Sequence, residues 1–144
     1  MSYLPLRLQP GMDLRRSLEA VAGVKDETSA FVVSGIGSLS NARLRFAGAE
    51  SETSLAGMFE IVCLSGTLAQ DGAHLHMAIA DEHGHVVGGH VCYGNIVRTT
   101  VEVLLAPLTE RIRAAPRMEA RTPDLVAVLD DIFRKLPITR APGT

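Results

Sequence analysis

Residues 73 to 90 read AHLHMAIADEHGHVVGGH, and this stretch constrains the fold more than any other. Polar and apolar residues alternate on both sides of a glycine turn. Alternation with a period of two places successive side chains on opposite faces of a strand. Leu75, Met77 and Ile79 therefore share one face, and His74 and His76 share the other. The connection Glu82-His83-Gly84 fits a three-residue hairpin loop with Gly84 left-handed. In that register Asp81 pairs with His85, and His76 falls directly opposite His90. His74 lies one diagonal step away, opposite Cys92. Val87 and Val91 join the apolar side, which is assigned to the core. A one-residue change of loop length would carry His90 to the other face.

All five histidines of the 144-residue chain lie in this hairpin. His74, His76 and His90 converge on one face, with Cβ atoms of directly opposed residues about 5 Å apart. Three neutral imidazoles can hold Zn²⁺ or another divalent metal and leave a fourth position open for water or a ligand. The competing reading is a polar, solvent-washed strand face. His83 and His85, at the turn, are read as turn residues.

The rest of the chain reads mainly as strand. YLPLRLQ (3–9) is a short first strand. DLRRSLEAVAG (13–23) is a helix capped by Asp13, with Leu14, Leu18 and Val21 on one face. SAFVVSGIGSL (29–39) is a buried strand running into a glycine turn, followed by the strand ARLRF (42–46) and a loop over 47–57. MFEIVCLSGTLA (58–69), the histidine hairpin and the segment 95–108 supply further strands. The segment 109–144 is ambiguous: 125–137 suits either a strand and turn or an amphipathic helix. These elements predict an α+β class, a central antiparallel sheet with a helix packed on it, as a single domain over 1–144.

Composition narrows the partners. Hydrophobic residues make up 47%, charged residues 21%, and the formal net charge is −2. A net-acidic chain lacks the basic excess that nucleic acids or anionic membranes attract. The arginines 111, 113, 117 and 121 are interrupted by Glu110, Glu119 and Asp124 and read as solvated surface or a subunit contact. No apolar run reaches the roughly 18 residues of a spanning helix, and MSYLPLRLQPGMD lacks a signal-peptide pattern. The two cysteines, Cys63 and Cys92, lack CxxC spacing and read as buried thiols. Together these features predict a cytoplasmic protein.

The segments FVVSGIGSLSNARLR, GMFEIVCLSGTLA, HLHMAIAD, GHVVGGHV and IVRTTVEV occur in an order and spacing that resembles the PPC domain (plants and prokaryotes conserved). The resemblance covers a core of about residues 5–128, with 129–144 as a C-terminal extension. It implies an α+β fold and a homotrimer. Plant members join the domain to AT-hooks and are nuclear DNA-binding regulators, whereas prokaryotic members usually stand alone, some holding a metal on histidines. The family's HxH falls on His74 and His76, and its GGH on His90. The segment that plant proteins use for partners, GRFEI, is Gly57-Met58-Phe59-Glu60-Ile61 here, with Met58 replacing the arginine. The AT-hook core is absent from this sequence. The resemblance thus implies a metal or small-ligand binding homotrimer. DNA binding or transcription-associated work, and a metal-dependent hydrolase or lyase, are the alternatives.

Other candidates carry less. In SGIGSL (34–39) a phosphate cradle would need a helix next, and a strand follows instead. Arg43 and Arg45 share a strand face, read as solvated, with anion binding as the alternative. Glu102 is the candidate acid/base for a metal-bound water, against an ion pair with Arg98 or Arg43 or a plain water-facing position.

Overall fold

The computed structural model describes residues 3–24, 29–69 and 72–108. The tail segment 109–144, including the ambiguous 125–137, lies outside the described residues. Six strands and one helix follow in the order β1 (Leu4–Leu8), α1 (Leu14–Val24), β2 (Ala30–Arg45), β3 (Thr53–Ala69), β4 (Gly72–Ala80), β5 (Val86–Val91) and β6 (Ile96–Pro107). All pairings are antiparallel, in the order β1-β6-β2-β3-β4-β5. The last strand also returns to the end of β2, through Leu44 opposite Val91 and Arg45 opposite His90. β2, β3, β4 and β5 therefore close a circuit. One edge of β2 carries β3, and the other carries first β6 and then β5.

The core lies inside this curl. Leu39, Leu44, Leu64, Leu68, Leu75 and Ile79 are almost wholly removed from water. The alternation seen in the sequence places them there: β4 buries Leu75, Met77 and Ile79 and turns His74 and His76 outward. The helix is capped as its sequence dictates. Asp13 Oδ1 accepts from the Arg16 N–H at 3.0 Å, and Leu14 donates its N–H to the Asn95 carbonyl at 2.9 Å.

The expected α+β class is not what forms. The helix is 11 residues long; among the described side chains it contributes Leu14 and Leu18 to the buried core, with Val21 packed against it, and the rest of that core comes from strands. The described chain is a mostly antiparallel β protein, and the helix is not a layer packed on the sheet. Two leucines on one short helix cannot cover a six-stranded sheet; the sheet buries its apolar face by closing on itself.

The glycine turn expected near residue 37 is also absent. β2 runs unbroken through Gly35 and Gly37 for 16 residues. A Cβ on Gly35 would sit 2.7 Å from Leu64 Cδ2, and one on Gly37 would sit 2.3 Å from the Thr100 carbonyl oxygen. These glycines admit neighbours at close range within a strand, a role that looks like a turn signal in sequence. A strand at this point also leaves no phosphate cradle in SGIGSL. β3 begins at Thr53, inside the expected loop. Cys63 is exposed and Cys92 half-buried, against the expectation of two buried thiols. A register shift between Ile61 and Cys63 turns Val62 and Cys63 outward together. No helix among the described residues is long and apolar enough to cross a membrane.

Candidate metal centre

The hairpin forms in the register its turn demands. His76 stands opposite His90, Met77 opposite Gly89, and Ile79 opposite Val87. Gly84 takes φ 81° and returns its N–H to the Asp81 carbonyl at 3.0 Å. The Asp81 carboxylate adds bonds from the N–H groups of His83 (2.9 Å) and His85 (2.8 Å). These N–H donors and the His85 ring outweigh the desolvation that pushes the Asp81 carboxyl up, and they hold it below its ordinary value. His83 and His85 are thus turn residues, 6.0 Å apart ring to ring. Val87 departs from expectation: it is exposed, because β2 covers the outer edge of β5 only at Val91 and His90.

His74, His76 and His90 come together. Their ring centroids are 4.3 Å (His76–His90), 5.1 Å (His74–His76) and 5.3 Å (His74–His90) apart. One nitrogen from each ring lies within 4.8 Å of the others. The Nε2 atoms of His74 and His76 are 3.2 Å apart. A tetrahedral ion with Zn–N bonds of about 2.0–2.1 Å needs nitrogens roughly 3.3 Å from each other, so one pair already stands at ligand spacing. Burial, then the neighbouring His76, Arg45 and His74, hold the His90 imidazole below its ordinary pKa. That favours the neutral form a metal ligand must have.

A brace outside the three rings ties together the strand ends that carry them, and sequence reading did not find it. The β4–β5 ladder ends at His76 and His90, because Cys92 leaves to donate its N–H to the Arg43 carbonyl at 3.1 Å. Arg15 of the helix spans the gap. It donates to the Val91 carbonyl at 2.9 Å and to the Ala73 carbonyl at 3.0 Å, the residues next to His90 and His74. Glu19 Oε1 accepts from Arg15 Nε at 2.9 Å and from the Ala73 N–H at 3.1 Å, and Glu19 Oε2 accepts from the Tyr93 hydroxyl at 2.9 Å. Burial opposes the charge on Arg15, but Glu19 outweighs it and keeps the guanidinium above its ordinary value. Burial likewise pushes Glu19 up, and the bonds from Arg15, Tyr93 and Ala73 pull it further down, below the usual carboxylate range. The i,i+4 spacing of Arg15 and Glu19 is readable in the sequence; the carbonyls they reach are not.

Asn95 performs a similar task at the seam. Fully buried, it accepts from the Arg43 N–H at 3.0 Å and donates to the carbonyls of Arg43 (3.0 Å) and Cys92 (2.7 Å). It stands in for a strand partner where β5 gives way to β6.

Glu102 is not beside the histidines. It lies on β6, opposite Arg7 of β1, and forms an ion pair with that guanidinium. β2 and β3 separate β6 from β4 in the sheet order. Its partner is Arg7, not Arg98 or Arg43; Arg43 pairs with Glu52 at 2.7 Å. A groove of about 500 Å³ lined by Pro5, Arg7, Ile36, Glu102 and neighbours holds none of the histidines.

Fold and site together define a small closed antiparallel β domain with a three-histidine cluster at its seam. The chain belongs to the Plants and Prokaryotes Conserved (PCC) domain family, whose pattern matches residues 1–109. It is 40% identical to a hypothetical protein from Salmonella cholerae-suis, with a TM-score of 0.70 over 72% of this chain and 75% of that one. A metal-containing protein from Archaeoglobus fulgidus is 27% identical, with a TM-score of 0.72 over 83% of this chain and 88% of that one. The chain is also 45% identical over 106 residues to the bifunctional protein GlmU of Synechococcus sp. (strain JA-3-3Ab), covering 74% of this chain. It spans only 17% of the length of the two curated GlmU relatives it matches.

Proposed function

We propose that this chain is a divalent-metal binding module, with His74, His76 and His90 as the protein ligands and zinc the first candidate ion. The observation that carries this reading is the convergence of three imidazoles from two strands, one pair at 3.2 Å. The metal-containing description of the Archaeoglobus relative supports it. The match to 17% of the GlmU proteins supports a module that also occurs joined to other sequence. Three imidazoles supply enough donors for a four-coordinate ion and leave one position for a small ligand.

Self-association as a homotrimer is part of the proposal. Support comes from an apolar outer surface on β2 and β3, where Phe31, Val33, Ile36, Met58 and Val62 are each about half exposed. A surface of that kind marks an association site. The number three is what the family resemblance implies. Light scattering at micromolar concentration should report three chains; a stable monomer would refute the assembly.

The metal is tested by elemental analysis after purification without chelators, followed by zinc titration of wild type, His90→Ala and His83→Ala. Wild type and His83→Ala should take up one ion per chain. His90→Ala should lose tight binding and keep its fold, since the ring points away from the core. Equal zinc affinity in wild type and His90→Ala would refute the ligand assignment.

A further inference from the structure

The surface around the histidines has a charge imbalance that indicates what the open position receives. Register carries the histidine face across four strands. Ser65 and Thr67 of β3 stand opposite His76 and His74, and Arg45 of β2 stands opposite His90. Directly opposed residues of an antiparallel pair share a face, with Cβ atoms about 5 Å apart. This face therefore presents two hydroxyls, three imidazoles and one guanidinium, and no carboxylate at any directly paired position.

A divalent ion on three neutral imidazoles keeps both of its charges, because none of its ligands is anionic. Arg45 adds a third positive charge. The other cations of this region are engaged: Arg43 holds Glu52, Arg15 holds Glu19, and Arg16 lies over the Tyr93 ring. Arg45 has no ion pair or side-chain hydrogen bond among the described residues, although strand pairing fixes its backbone beside His90. A guanidinium with no ion pair, carried by the residue directly opposite a ligand histidine, suits a carboxylate, which has two oxygens to share between it and an ion.

We propose that the ion and the Arg45 guanidinium together receive a small carboxylate, and that Arg45 is the residue that selects for it. This rests on the metal reading above. The role is binding: Arg45 donates hydrogen bonds to the carboxylate, and Ser65 and Thr67 border the same face.

The test separates the two readings. Wild type, Arg45→Gln and Arg45→Lys are loaded with Co²⁺, whose visible spectrum reports its coordination, and titrated with acetate and, separately, with imidazole. Imidazole is neutral and should perturb the spectrum equally in all three, showing an open position that does not depend on Arg45. Acetate should perturb wild type saturably and bind Arg45→Gln about ten- to a hundredfold more weakly, the worth of a charged hydrogen bond. Arg45→Lys, which keeps the charge and loses the fork, should fall between them and serves as the test if Arg45→Gln does not fold. Equal acetate affinity in wild type and variants, or no acetate response where imidazole gives one, overturns the proposal and leaves the metal reading standing. Failure of wild type to bind cobalt overturns both.

Discussion

Replacing Arg15 with methionine keeps much of the stem that packs on the sheet and removes the guanidinium. Three bonds go with it: to the carbonyls of Val91 and Ala73 and to Glu19. The Arg15–Glu19 pair is mostly buried, about one-fifth exposed on each side, so the desolvation of the two charges offsets much of their attraction and its own net contribution is small. The two carbonyl bonds are charge-assisted, each worth about 1.5 kcal/mol at the low end of the usual range. Arg15→Met should therefore cost about 3 kcal/mol, a large part of the roughly 5–15 kcal/mol that holds a domain together. The second consequence is local. The ladder ends at His76 and His90, so without Arg15 the helix ties the His74 end of β4 to the chain after Val91 only through Glu19, by the Ala73 N–H and the Tyr93 hydroxyl. Groups that orient metal ligands are worth about 10- to 100-fold in affinity, and zinc binding should weaken by that factor. Urea unfolding of the metal-free protein reads the first effect, and competition titration with a zinc chelator at pH 7.5 reads the second. Arg15→Lys, which reaches one carbonyl at most, should fall between. A loss below about 0.5 kcal/mol, within the range of ordinary surface substitutions, together with unchanged zinc affinity, would refute the bracing role.

Other outcomes follow from the same geometry. Glu19 has a folded pKa below its unfolded one, so its stabilisation is present above the unfolded value of about 4.3 and is lost as pH falls through the folded value. Acid titration followed by circular dichroism should show Glu19→Gln with a shallower loss of stability below pH ~4.5 than wild type; parallel curves would refute the assignment. Asn95→Ala should cost about 2–6 kcal/mol, because it leaves the Arg43 N–H and the Cys92 carbonyl without their partner in a buried place; a thermal melt within 2 °C of wild type would contradict this. Gly66 lies at φ 143°, and a Cβ there would sit 2.1 Å from the His74 carbonyl oxygen. Gly66→Ala should destabilise by about 3 kcal/mol and loosen zinc binding by pushing β4 outward; a variant as stable as wild type would show that β3 and β4 can separate freely there. Zinc affinity should fall steeply below about pH 6, where protons compete for the three imidazoles, and a flat profile from pH 7.5 to 5.5 would exclude histidine ligation.

The hairpin and its three converging rings were legible in the sequence because their causes are local. Alternation sets the faces of β4, and the Glu82-His83-Gly84 loop sets the register, so His90 could be placed opposite His76 without knowing any distant partner. The helix was legible for the same reason, through Asp13 and the spacing of Leu14 and Leu18. Its weight in the fold was not, since the class depends on how the sheet covers its own core. Everything decided by non-local pairing lay beyond the sequence. Gly35 and Gly37 looked like a turn because a glycine that makes room for Leu64 or the Thr100 carbonyl is the same residue as one that bends the chain. Cys63 faces outward because of a register shift set by β4, and Glu102 pairs with Arg7 because β1 lies beside β6. The union of β2 with β5 brings Arg45 to His90, and Arg15 reaches the two carbonyls only once the helix is seated. Short-range periodicity encodes which face a side chain takes. Which strands become neighbours is settled by burying apolar surface and pairing backbone groups across the whole sheet, and only the folded chain carries that information.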